Sequence, residues 1–187
     1  FTDFGGNEVP DAMLLVAHGS LMQAAQAYAN YRETSQRNPY NTVLVDVDEL
    51  YDQFGGGVPK HPLSIRRWCR YLLDTWNSSP KALLLIGKSV QNVRVNALAT
   101  GIRPNTEGAY ATCLVPTFGH PASDVCYTIG LRFDPRTMEI PVGRLSVYTP
   151  DEVDAYRLKV EALEGQVPGE WMKNILHFAG GLQPGEP

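Results

Sequence analysis

The residue types that do covalent chemistry are sparse in this chain: three cysteines (Cys69, Cys113, Cys126) and four histidines (His18, His61, His120, His177). A thiol nucleophile needs an imidazole within hydrogen-bond reach and a setting that stabilises the thiolate. Cys69 falls on the apolar stripe of a predicted helix and reads as a packing residue. Cys113 and Cys126 flank His120, which permits a dyad, but neither precedes the small residues and helix start that activate a thiol. A Cys113–Cys126 disulfide is an alternative to two free buried thiols, and the odd cysteine count gives no framework. No two histidines sit at i, i+4, the helical spacing of a zinc pair. Asp46 and Asp48 alternate at a strand end, which alone is a weak calcium signal. Gly55–Gly57 is followed by Lys60, His61 and Pro62 rather than by the Lys-Ser or Lys-Thr pair of a phosphate loop. His18, Gly19 and Ser20 lie where a buried strand ends, the edge at which open α/β sheets bind ligands.

The elements that position these residues follow from periodicity. Ala12–Ala17 and Ala82–Ile86 are continuous apolar runs, the mark of strands buried on both faces of a parallel sheet, and Thr42–Asp46, rich in β-branched residues, reads as a further strand. Ser20 is a candidate N-cap for a helix through Leu21, Ala24, Ala25 and Tyr28 to about Gln36, short of Pro39. Val47–Tyr51 leads into a glycine loop. Ile65, Trp68, Cys69, Leu72, Leu73 and Trp76 then give the clearest helical stripe, opposite Arg66, Arg67, Arg70 and Asp74. Residues 88–112 are polar and read as irregular cover over the strand ends. Cys113–Pro116, Val125–Phe133 and Glu139–Leu145 read as short strands, with a turn at Asp134 and Pro135. Thr149, Pro150 and Glu152 form a capping box with proline at the first helical position, opening a helix whose stripe is Val153, Tyr156, Val160 and Leu163, stopped by Gly165. A turn holding Trp171 precedes a last predicted strand, Asn174–Ala179. Strand-helix alternation requires crossovers and a mostly parallel, doubly wound α/β sheet in three αβα layers.

Bulk properties narrow the function classes. The 187 residues suit one domain with its own core. Sixteen basic and twenty acidic residues give a net charge of -4, so no basic footprint for nucleic acid is present. No apolar run approaches a membrane span. The chain opens on Phe1 without a signal-peptide pattern and closes on a Gly- and Pro-rich stretch, which together read as a piece cut from a longer protein.

Two resemblances attach to particular residues. Leu14–Ser20 resembles the opening strand of cobalt and iron chelatases, where a strand-end His meets the metal; this implies a metal- or tetrapyrrole-binding domain using His18. A longer series resembles the gingipain family of cysteine peptidases, nearest the relatives that include the sortase of the type IX secretion system. It comprises Leu50–Pro59 (LYDQFGGGVP), Ser64–Arg66, Pro80–Gly87, Val115–Thr117, Ser123–Asp124, Pro141–Leu145 and Thr149–Val153, in that order, spanning about Ala12 to Ala179. The resemblance implies a caspase-like (Rossmann-like) subdomain, with residues 1–11 a leader, 12–165 the N-terminal α/β subdomain, and 166–187 the start of a second. That second subdomain would carry the nucleophilic Cys and the His, leaving the present chain inactive alone and without catalytic, cofactor or metal residues. The parent would be a bacterial protein, secreted or at the cell surface, acting on protein or peptide substrates. Candidate residues for the subdomain junction are Lys88, Asp124, Gly143 and Arg144. Gly143 suits a close backbone approach, and Arg144 suits a carboxylate or carbonyls. The family has Gly-Asp after the third strand, and that Asp would support calcium or the junction; here Gly87 is followed by Lys88. This reversal of charge leaves open a non-catalytic scaffold of the same fold.

Overall fold

The computed structural model describes residues 1–90, 111–119, 122–132 and 134–175. Four strands form one sheet: β1 (Ala12–Ala17), β2 (Asn41–Asp46), β3 (Ala82–Ile86) and β4 (Val142–Leu145). Their order is β2-β1-β3-β4 and every pairing is parallel, in register Leu14↔Val43, Leu14↔Leu83 and Leu84↔Gly143. From β1 the chain moves outward to β2 and then crosses back to place β3 on the other side of β1, so a topological switch lies between β1 and β3.

The continuous apolar runs fold as expected because both faces are covered. Leu14, Val16, Leu83 and Leu85 point into the larger core with Ile65, Trp68 and Leu72. Leu15 and Ala17 point the other way, toward Tyr28, Ala29, Leu21 and Ala25. Burying each large side chain contributes roughly 1.5–3 kcal/mol. Helix α1 (Met22–Thr34) covers one face, while α2 (Val47–Phe54) and α3 (Leu63–Thr75) cover the other. Helix α4 (Pro150–Glu164) returns to the α1 face, and its capping box is formed in full by Thr149 and Glu152. Its far end is clamped to α1. The Glu164 carboxylate accepts from Arg32 Nη1 at 2.8 Å, Ser35 Oγ at 3.0 Å, Asn38 Nδ2 at 3.2 Å and the Tyr31 hydroxyl. Burial opposes its charge, but these donors outweigh that and hold its pKa down at about 2.

Several sequence expectations are corrected. Val47–Tyr51 is not a lead-in to a loop but most of α2: the Asp46 carboxylate caps it by accepting from Asp48 N at 3.1 Å, and Val47, Leu50 and Tyr51 are buried. Cys113–Pro116 and Val125–Phe133 are not strands among the described residues. Leu114 N and Val115 N both turn to Lys88 O, and Val125–Tyr127 is a 3-10 turn, with isolated bridges at Phe118↔Ser123 and Ile129↔Met138. Their apolar side chains, Val115, Tyr127 and Leu131, instead cover the larger core. The strand expected over Glu139–Leu145 begins only at Val142. Along α4, Val153 is buried but Leu163 is 49% exposed. Within the first eleven residues, Phe4 is buried against Trp68 at a ring separation of 5.5 Å, and Trp76 Nε1 donates to Phe4 O at 2.7 Å. Residues 91–110, Phe133, His120, and the part of the last predicted strand from Leu176 onward lie outside the described residues.

Candidate functional site

The C-terminal ends of the four strands converge on one edge, and the residues nominated there meet different fates. At the end of β1, His18 caps the 3-10 turn Gly19–Leu21 that leads into α1, while α1 itself has no side-chain cap and Ser20 does not supply one. The His18 Nδ1 accepts from Ser20 N at 3.2 Å and lies 2.9 Å from Ser20 Oγ. Both contacts of Nδ1 are thus made within the turn. Among the described residues, no group of three or more His, Cys, Asp or Glu side chains gathers to hold a metal.

The strongest constellation is built on β4. The Arg144 guanidinium has five N–H donors in a planar fork, and all five are engaged. Nε donates to Asp124 Oδ2 at 2.7 Å and Nη2 to Asp124 Oδ1 at 2.8 Å, a bidentate pair. Nη2 also donates to Pro116 O at 2.7 Å, and Nη1 to Gly87 O at 2.8 Å and Val115 O at 2.9 Å. Thr117 Oγ1 donates to Asp124 Oδ1 at 2.9 Å, and the Tyr127 hydroxyl donates to Pro116 O. The Arg144 and Asp124 side chains retain 10% and 21% exposure, so the pair is largely withdrawn from solvent. Burial pushes the Tyr127 phenol well above its usual range, keeping it a neutral donor. This cluster ties the end of β3, the segment 115–117 and Asp124 to the edge strand. Gly87 is required at its centre: φ is +145°, and a Cβ there would meet Val115 Cγ2 at 2.9 Å.

A second arginine does the same work from the helix side. Arg66 Nη1 donates to Cys126 O at 2.6 Å and Ile129 O at 2.8 Å, so the irregular segment is pinned from both α3 and β4. Sequence reasoning placed Arg66 only on the polar face of its helix. The signal that could have found it is the lack of regular structure across 113–131, whose carbonyls need donors from elsewhere.

The other two nominees differ. Gly143 has no close backbone neighbour within the described residues: a Cβ would meet only Leu84 Cδ1, at 3.9 Å. Lys88 places its ammonium 4.9 Å from the Tyr148 ring centre. Its charge adds slightly to the fall in the Glu152 pKa, which comes first from the Tyr148 and Thr149 backbone N–H groups. Lys88 stands where the resemblance led one to expect a carboxylate, and both Asp124 oxygens are held by Arg144 and Thr117.

The thiols are unpaired with one another. Cys69 is buried, and burial pushes its pKa up to about 12, which fits packing rather than attack. Among the described residues, no hydrogen bond joins a cysteine to a histidine; His61 Nδ1, for example, accepts from Leu63 N at 3.2 Å.

Comparison with known proteins accords with this frame. The model for peptidase family C25 matches residues 7–186. The crystal structure of dimeric latent PorU from Porphyromonas gingivalis superposes with a TM-score of 0.65 at 22% identity, covering 84% of this chain. At that identity the likeness is one of fold. The chain spans 16% of that longer chain. No curated protein matches. By the family model, which extends over nearly all of its length, the chain belongs to peptidase family C25, the gingipain family.

Proposed function

We propose that this chain is the first, N-terminal subdomain of a gingipain-like cysteine endopeptidase, secreted by or displayed on a bacterium, whose Cys–His pair lies in a second subdomain of the same polypeptide. The observation that carries this reading is the family match across residues 7–186, on a domain whose described thiols and imidazoles do not pair. The part played by this half is to complete the fold and to present a rigid wall beside the cleft. Arg144 and Arg66 support that part, because together they fix a segment that has almost no ladder of its own. Among the described residues, no helix is long and apolar enough to cross a membrane.

The test is peptide hydrolysis with and without thiol alkylation. The 187-residue chain should leave a denatured protein substrate intact, whereas the full-length protein should cleave it and lose that activity to iodoacetamide. Alkylation-sensitive hydrolysis by the 187-residue chain would overturn the assignment of the pair to another subdomain.

A second reading, a non-catalytic scaffold of the same family, draws on Lys88. It reverses the charge at the end of β3, where the family resemblance leads one to expect an aspartate. A full-length protein inert toward all substrates, with its fold intact, would favour that reading.

A further inference from the structure

The outer face of α4 breaks the rule that its neighbours obey. The exposed positions of α1 are Gln23, Gln26, Asn30, Glu33 and Thr34, all polar, as suits a helix facing water. On α4 beyond its first turn, the residues opposite Val153 are Ala155, Leu158, Lys159, Ala162 and Leu163, and all five are exposed. At about 100° per residue they fill one continuous arc of the helix, with a single charge in it. The chain then continues through Val167, 88% exposed, and Trp171, 57% exposed. Five of the eleven large exposed hydrophobic side chains among the described residues fall between Leu158 and Ile175, so the uncovered apolar surface is concentrated in one stretch. Scattered apolar residues need no explanation, but a contiguous face does.

We infer that this face of α4 is the seat of the second catalytic subdomain, an inference that rests on the peptidase reading above. Two observations choose that occupant. The similar solved chain is far longer, with this domain matching 16% of it, so a chain of this kind has the mass to cover the face. The residues first nominated for the junction are also already satisfied: all five Arg144 donors and both Asp124 oxygens are spent within this domain. Docking must therefore draw on surface that has no internal partner, and the α4 face supplies it. Its chemistry asks for an apolar counterface with one carboxylate or carbonyl opposite Lys159.

Hydrogen exchange of the α4 amides, compared between the full-length protein and the 187-residue chain, tests this. Exchange should be about tenfold slower or more in the full-length protein. A doubly substituted variant, Leu158→Glu with Leu163→Glu, should leave the melting temperature of the 187-residue chain within about 1 °C, and lower that of the full-length protein by more than about 4 °C. Equal exchange in both proteins, or a double variant equally silent in both, would overturn the inference. So would protection in the 187-residue chain that grows with concentration, because a second copy would then be the cover. Neither readout uses catalysis: a protected α4 in a full-length protein without peptidase activity would sustain the interface and count only against the peptidase reading.

Discussion

Replacing Asp124 by Asn removes one negative charge from the cluster on β4 and almost no volume. Arg144 would keep its bonds to Gly87 O, Val115 O and Pro116 O. Of its two bonds to position 124, at most one survives, because an amide offers the guanidinium one acceptor and one donor. A hydrogen bond to a charged group contributes about 1.5–3 kcal/mol. Orphaning a fully buried charge costs about 3–5 kcal/mol. The residual exposures of 10% and 21% soften the second effect, and the three surviving carbonyls soften it further. The expected loss is therefore about 2–3 kcal/mol, or about 4–12 °C in melting temperature for a domain of this size. Arg144→Met should cost more, since it strands the Asp124 carboxylate and three carbonyls together. Differential scanning fluorimetry with urea titration measures both, and a double-mutant cycle should return a coupling above about 1 kcal/mol. Because the pair is mostly withdrawn from water, the coupling should survive 0.5 M salt; exposed pairs are screened at such ionic strengths. An Asp124→Asn protein melting within about 1 °C of the parent, or a coupling abolished by salt, would refute the claim that this cluster holds the sheet edge together.

Two other perturbations test the packing that frames the site. The Glu164 clamp has a folded pKa of about 2, below the ordinary carboxylate value of 4.5. Its contribution is therefore complete above about pH 4.5 and is lost as pH falls toward 2, and linkage sets it at about 3 kcal/mol. Glu164→Gln should accordingly destabilise the protein at pH 7 and converge with the parent near pH 2, as read by urea midpoints across that window; a pH-independent difference would exclude the linkage. Phe4→Ala should cost about 3–5 kcal/mol, the range for a buried aromatic, measured by equilibrium unfolding. A change under about 1 kcal/mol would mean that the first eleven residues are not part of the core.

What was legible in the sequence was whatever depended on local periodicity. Ala12–Ala17 and Ala82–Ile86 were expected with the bounds they have, because both faces of those strands are buried and the apolar run is unbroken. Helix α2 carried a readable signal that the glycine loop behind it obscured: Asp46 as cap, Asp48 and Glu49 in the first turn, and Val47, Leu50 and Tyr51 at i, i+3 and i+4. The segment from Cys113 to Leu131 was misread for a different reason. Its β-branched and aromatic residues are those of strands, but they are there to cover the core, and the backbone bonds that a ladder would have made go to arginine side chains. No window of sequence contains that exchange, since Arg66 and Arg144 stand 60 and 29 residues from the carbonyls of Cys126 and Val115 that they hold.

The same exchange bears on what this edge of the sheet can present. A loop tethered by arginine forks keeps its path without a strand's demand that alternate side chains point to opposite faces. Its side chains are then free to be chosen for the core on one side and for whatever faces the other. The arrangement holds only while the guanidinium is planar and fully donated, because lysine has three donors where Arg144 uses five. Arg144→Lys should therefore behave as a loss and not as a conservative change. At least two of the five hydrogen bonds, and at least one of the four acceptor groups now on Arg144, would be left to water, and the segment 115–124 should exchange its amides faster while β1 and β3 remain protected. If that segment exchanges no faster in Arg144→Lys, charge alone holds it, and the fork geometry is not what positions this wall of the site.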